Sequence, residues 1–135
     1  MVTTRVLIDG RDRRIDDPED VARLLNGRRP VETAEVLFER DDGALLIVML
    51  SGPRAMVLYQ RQIGDPDDVG QSARDPLVAN DADTLVEVRL SNGQVDRHPL
   101  SETVPRQDAV RAAEHFVSTG QRAPWLSWHD DNRVG

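Results

Sequence analysis

The sequence predicts an α+β domain: an antiparallel meander sheet with an N-terminal and a C-terminal helix packed on one face, in the order β-α-β-β-β-β-β-α-β. Three observations lead there. Short runs rich in apolar and β-branched residues follow one another through tight turn signals, and short links make neighbouring strands antiparallel. Two segments, one near each end of the chain, carry apolar residues at helical spacing. Both tryptophans fall within residues 124–128 of a chain that is only 4% aromatic, which concentrates much of the packing area just after the second helix.

Residues 5–9 (Arg-Val-Leu-Ile-Asp) form the first β-branched run, and residues 10–16 are polar and turn-like. Asp17 is placed to cap a helix, Pro18 suits its first position, and Glu19 and Asp20 suit the positive end of its dipole. Val21, Leu24 and Leu25 share one face, and Asn26-Gly27 with Pro30 beyond stops the helix. Residues 33–40 alternate, with Ala34, Val36 and Phe38 to one side and Glu35, Leu37 and Glu39 to the other. After the turn Asp41-Asp42-Gly43, residues 44–50 are apolar throughout, which predicts a central strand covered on both faces. Ser51-Gly52-Pro53 turns the chain into a strand over 55–62.

Residues 63–83 read as a long acidic loop, holding Asp65, Asp67, Asp68, Asp75, Asp81 and Asp83 against Arg74 alone. Loops longer than about 12–15 residues in a compact domain are usually functional or disordered. Residues 85–90 and 95–100 predict a hairpin with Asn92-Gly93 in a type I′ turn, which sets Leu90 opposite Val95, Arg89 opposite Asp96 and Glu87 opposite His98. The second helix spans 106–119, with Ala109, Val110, Ala113, Phe116 and Val117 on its apolar face and Gly120 as its stop. A last strand covers 124–131. Alternation pairs Leu126 with Trp128 on the core face, and leaves Trp125 either under the helix or partly exposed.

The length fits a single domain over 1–135, and 39% hydrophobic with 30% charged residues is a globular profile. No apolar run approaches the roughly 18 residues of a membrane span, and the N-terminus lacks a signal-peptide pattern, so a cytoplasmic location is expected. The absence of cysteine excludes disulfides, thiol catalysis and thiolate zinc sites. A net charge of −7 makes the chain a poor ligand for nucleic acid or an anionic membrane and a better one for a basic protein. All 17 basic residues are arginine, so every cationic position is fork-shaped and permanently charged.

No catalytic, metal or cofactor site is expected. Residues 65–70 resemble the start of a calcium loop, but Val69 stands where an oxygen ligand is needed and Pro76 where a bidentate glutamate belongs. His129, Asp130 and Asp131 would point to alternating faces of a strand. His98 is accounted for by Glu87, and His115 lies beside Phe116. There is neither a Gly-x-Ser-x-Gly elbow nor a glycine-rich phosphate loop. What remains is binding. The acidic loop with Asp130 and Asp131 makes either a negative docking surface or a solvated segment that keeps the protein soluble. A small-molecule-binding or regulatory α+β domain is the alternative, and it requires an apolar pocket between sheet and helix.

The ending Val-Pro-Arg-Gln-Asp-Ala-Val-Arg-Ala-Ala-Glu-His-Phe-Val-Ser-Thr-Gly-Gln-Arg-Ala-Pro-Trp-Leu-Ser-Trp resembles the C-terminus of the Imm-one family, immunity proteins of bacterial polymorphic toxin systems. Pro105, the alanine-rich helix with Phe116, Gly120 and a strand ending in Trp128 carry the likeness, which extends loosely back to about Thr33. The acidic loop and Trp125 depart from the family's pattern. The resemblance implies a non-enzymatic protein, monomeric or weakly self-associating when free. It would bind a cognate toxin domain, a nuclease or nucleic-acid deaminase, and mask its active site or basic substrate groove. Asp65, Asp67, Asp68, Asp81, Asp83, Trp125, Asp130 and Asp131 are the residues expected to face that partner.

Overall fold

The computed structural model describes residues 3–8, 11–15, 17–26, 33–62, 70–75, 77–78, 84–89 and 93–130. The elements are β1 (Thr4–Ile8), β2 (Arg11–Ile15), α1 (Pro18–Asn26), β3 (Thr33–Arg40), β4 (Leu45–Ser51), β5 (Arg54–Gln60), β6 (Gln71–Arg74), β7 (Leu85–Arg89), β8 (Val95–Pro99), β9 (Val104–Pro105), α2 (Arg106–Thr119) and β10 (Ser127–Asp130), with a 3-10 turn at Leu100–Glu102. The main sheet has the order β10-β6-β5-β4-β3-β1-β2. Every pairing is antiparallel. Beside β6, the short β9 takes the other end of β5, at Arg54 and Ala55.

Alternation along the strands builds the core. Ala34, Val36 and Phe38 of β3, Leu46, Val48 and Leu50 of β4, and Val57 and Tyr59 of β5 are buried in one cluster with Val21 and Leu25 of α1 and Val110, Ala113 and Phe116 of α2. Both helices therefore lie on one face, as expected of this α+β class. Tyr59 stands edge-on to Phe116 and to Trp128, with ring centroids 6.1 and 6.2 Å apart. Phe116, Leu126 and Trp128 close that core together. The opposite face of β4 is also covered, because Met49 and Met56 bury against Val88 of the hairpin. That hairpin, β7-β8, is a separate two-stranded sheet lying over the main one rather than its continuation.

The helix ends are satisfied by named groups. Asp17 Oδ1 accepts from the Glu19 amide at 2.9 Å, the cap expected of α1. Arg106 Nη2 donates to Leu25 O at the other end of α1, and its Nη1 to Gly52 O. Gly120 ends α2 at φ 75, and Arg40 Nη1 donates to Phe116 O and Val117 O at 3.3 and 3.0 Å. Carbonyls that a helix leaves orphaned are thus taken by arginines from distant segments.

Four expectations need correction. Residues 11–15, read as a turn, form β2, which buries only Ile15 and so shows no apolar alternation. The stretch read as one loop contains β6, whose Ser72 and Ala73 are buried between β5 and β10. The hairpin register is one residue away from that of a two-residue turn: Arg89 pairs with Val95, Glu87 with Arg97 and Val86 with His98. Five residues separate the last pair, Gly93 takes φ 90, and Glu87 gains an ion pair with Arg97 at 3.4 Å. His98 Nδ1 lies 3.6 Å from Glu102 instead of beside Glu87. Finally, β10 begins only at Ser127, so Trp125 stands in a turn and strand alternation does not govern it.

Candidate functional site

Of the residues expected to face a partner, Asp65, Asp67, Asp68, Asp81, Asp83 and Asp131 lie outside the described residues. Asp130 ends β10 opposite Gln71, and its side chain is likewise outside them. Asp75, counted with the acidic loop, is not a surface charge. It is only 8% exposed and its Oδ2 accepts from Arg54 Nη2 at 3.0 Å. Trp125 is 45% exposed and can be placed in detail.

A short turn presents Trp125. Ala123 is buried, and its carbonyl accepts from the Leu126 amide at 3.3 Å and from Trp128 Nε1 at 2.8 Å. This pins both sides of the turn and swings Trp125 back against the outer face of α2. There Arg111 and His115, four residues apart, form one ridge. The Arg111 guanidinium carbon stands 5.3 Å from the indole centroid, and the His115 ring meets the indole edge-on at 5.2 Å and 72°. With Pro18 at the start of α1, these side chains line an open groove of about 320 Å³.

The arrangement is an exposed aromatic platform backed by a cation and a second ring. A half-exposed indole held by a cation and a second ring is rigid and presents apolar area with little ordering left to do on binding. Arg111 and His115 were legible only as helix-flank residues, and their i, i+4 spacing was the available signal. Elsewhere, the space between α2 and the sheet is filled by the fully buried Val48, Val57, Val110 and Phe116. Among the described residues no group of three or more histidine and acidic side chains is placed to hold a metal ion, and no helix is long and apolar enough to cross a membrane.

A comparison with models of protein families matches residues 9–130 to immunity protein Imm1. The match runs from β2 through β10 and takes in both helices and the Trp125 turn. A search of curated proteins found no match.

Proposed function

We propose that this chain, which belongs to the Imm1 family of immunity proteins, binds and neutralises a cognate toxin domain by covering its active site or substrate groove. The family match over residues 9–130 carries this reading. Members of such a family act by binding, and the protein has no catalytic role of its own. The toxin is a nuclease or nucleic-acid deaminase with a basic groove, met in the cytoplasm of the producing cell. The net charge of −7 supports that choice, since opposite fields speed encounter. Trp125 is the anchor, and Asp65, Asp67, Asp68, Asp81, Asp83, Asp130 and Asp131 contribute the negative charge that the basic partner meets.

The test is co-expression with the toxin domain encoded beside this gene, followed by affinity measurement on the purified pair. Wild type restores growth; failure to do so would sink the immunity reading. Trp125→Ala weakens binding by about 2 kcal/mol, roughly 30-fold, and leaves thermal stability nearly unchanged because the side chain is half-exposed. Unchanged affinity would move the anchor elsewhere. Asp67→Arg with Asp68→Arg slows association, most strongly at low salt. A salt-independent on-rate equal to wild type would remove the acidic loop from the interface while leaving the immunity function intact.

A further inference from the structure

The acidity of this protein is unevenly spread. Residues 1–32 carry as many arginines as acidic residues, so the whole −7 comes from residues 33–135. The N-terminal share is displayed on an open sheet edge. Among the described residues β2 is the terminal strand and pairs only with β1, so its far side offers backbone donors and acceptors to whatever arrives. Arg11, Asp12, Arg13 and Arg14 are all exposed along it. Asp12 is already engaged by Arg5 Nε at 3.1 Å. Arg11, Arg13 and Arg14 form no ion pair among the described residues.

Behind that edge, between β2 and α1, lies a cleft of about 490 Å³. Ile8, Ile15 and Leu24 give it apolar depth, and Arg13, Arg14 and Arg23 stand at its mouth. The acidic residue of the lining, Asp20, sits 3.9 Å from Arg23 and offsets only that cation. We propose that the β2 edge and this cleft form a docking surface for an extended acidic segment of a partner protein, which adds to the sheet as a further strand. The proposal does not depend on the partner being a toxin.

Charge selects the occupant. A second copy pairing antiparallel about Arg13 would set Arg13 against Arg13, which is destabilising, and the Asp12 that would then face Arg14 is already engaged by Arg5. The same arginines that guard the edge against self-association favour a strand bearing Asp or Glu, whose carboxylates take guanidinium forks bidentately. A long nucleic acid fits less well, because the rest of the chain repels a polyanion and its backbone cannot complete a β-ladder.

The experiment uses the full chain and a short fluorescein-labelled peptide of alternating Glu and Val, followed by fluorescence anisotropy at low salt. Expected are saturable binding, added hydrogen-exchange protection within residues 11–15, and a loss of about tenfold in affinity for Arg13→Glu with Arg14→Glu. Arg13→Gln with Arg14→Gln, which removes charge without reversing it, should lose affinity in the same direction at unchanged melting temperature. A backbone N-methylated peptide, unable to donate to the edge, should bind about tenfold more weakly. No binding, equal binding of the N-methylated peptide, or equal competition by single-stranded DNA of matched charge would each overturn the proposal.

Discussion

Arg54→Met is expected to cost about 3–5 kcal/mol of folding stability, the range for breaking a buried ion pair by removing one partner. Arg54 opens β5, whose edge is shared between β9 at Arg54 and Ala55 and β6 at Leu58 and Tyr59. Its Nη2 donates to Asp75 Oδ2 at 3.0 Å and to Thr103 O at 2.9 Å, and its Nε donates to Thr103 Oγ1 at 2.9 Å. Asp75 directly follows β6 and Thr103 directly precedes β9, so one guanidinium holds both strands to β5. Without it, Asp75 keeps the Leu77 amide and remains a buried carboxylate with no cation among the described residues. Against a total stability of roughly 5–15 kcal/mol this is a large share. Urea denaturation measures it as a lowered midpoint. Arg54→Met combined with Asp75→Leu should recover much of the loss, since apolar replacement of a whole buried pair is often near neutral. A loss below about 1 kcal/mol for the single variant would show that solvent already screens the pair.

That cluster also shows which parts of this protein can be read from its sequence. Features decided within a few residues were legible. Asp17-Pro18 marked the start of α1, alternation marked β3, and Pro105 and Gly120 bounded α2 at Arg106–Thr119. Features decided by distant partners were not. Arg40, Arg54 and Arg106 resemble every other arginine in the sequence, yet each reaches groups roughly 50 to 80 positions away. β2 is a strand because β1 doubles back onto it, and as an edge it needs no apolar period. β6 consists of Gln-Ser-Ala-Arg, too short and too polar to announce itself, and its burial comes from neighbours on both sides. Trp125 was open to two readings because strand alternation was applied to a residue that the fold places in a turn. The acidic residues expected to face a partner lie largely outside the described residues, and that expectation rests on charge and family.

Gly120→Ala should destabilise the protein by about 3 kcal/mol, lowering the melting temperature by roughly 10 °C, for two separable reasons. The first is conformational. Gly120 sits at φ 75, where a residue with a Cβ is strained by roughly 1–2 kcal/mol. The second is packing. A Cβ at this position would lie 2.7 Å from Arg40 Nε and 2.9 Å from its Cζ. A guanidinium on a flexible side chain would ordinarily swing aside. Arg40, however, is only 8% exposed and tied to Phe116 O, Val117 O and Asp42. Moving it gives up at least one charge-assisted bond, worth about 1.5–3 kcal/mol, at the C-terminus of α2. Gly120→Asn separates the two terms, because asparagine tolerates the left-handed region but still brings a Cβ. A loss well above 1 kcal/mol for Asn locates the cost in Arg40, whereas a near-neutral Asn variant would mean that the guanidinium gives way freely. In the Arg40→Ala background the Gly120→Ala loss should shrink by at least about 1 kcal/mol, a coupling that a purely conformational effect cannot produce. The same contact governs the site: Gly120 sets where the chain leaves α2, and the turn that carries Trp125 against Arg111 and His115 starts from that exit. Gly120→Ala should therefore weaken partner binding even at temperatures where the variant remains folded, as is expected of Trp125→Ala, but through position rather than loss of the ring.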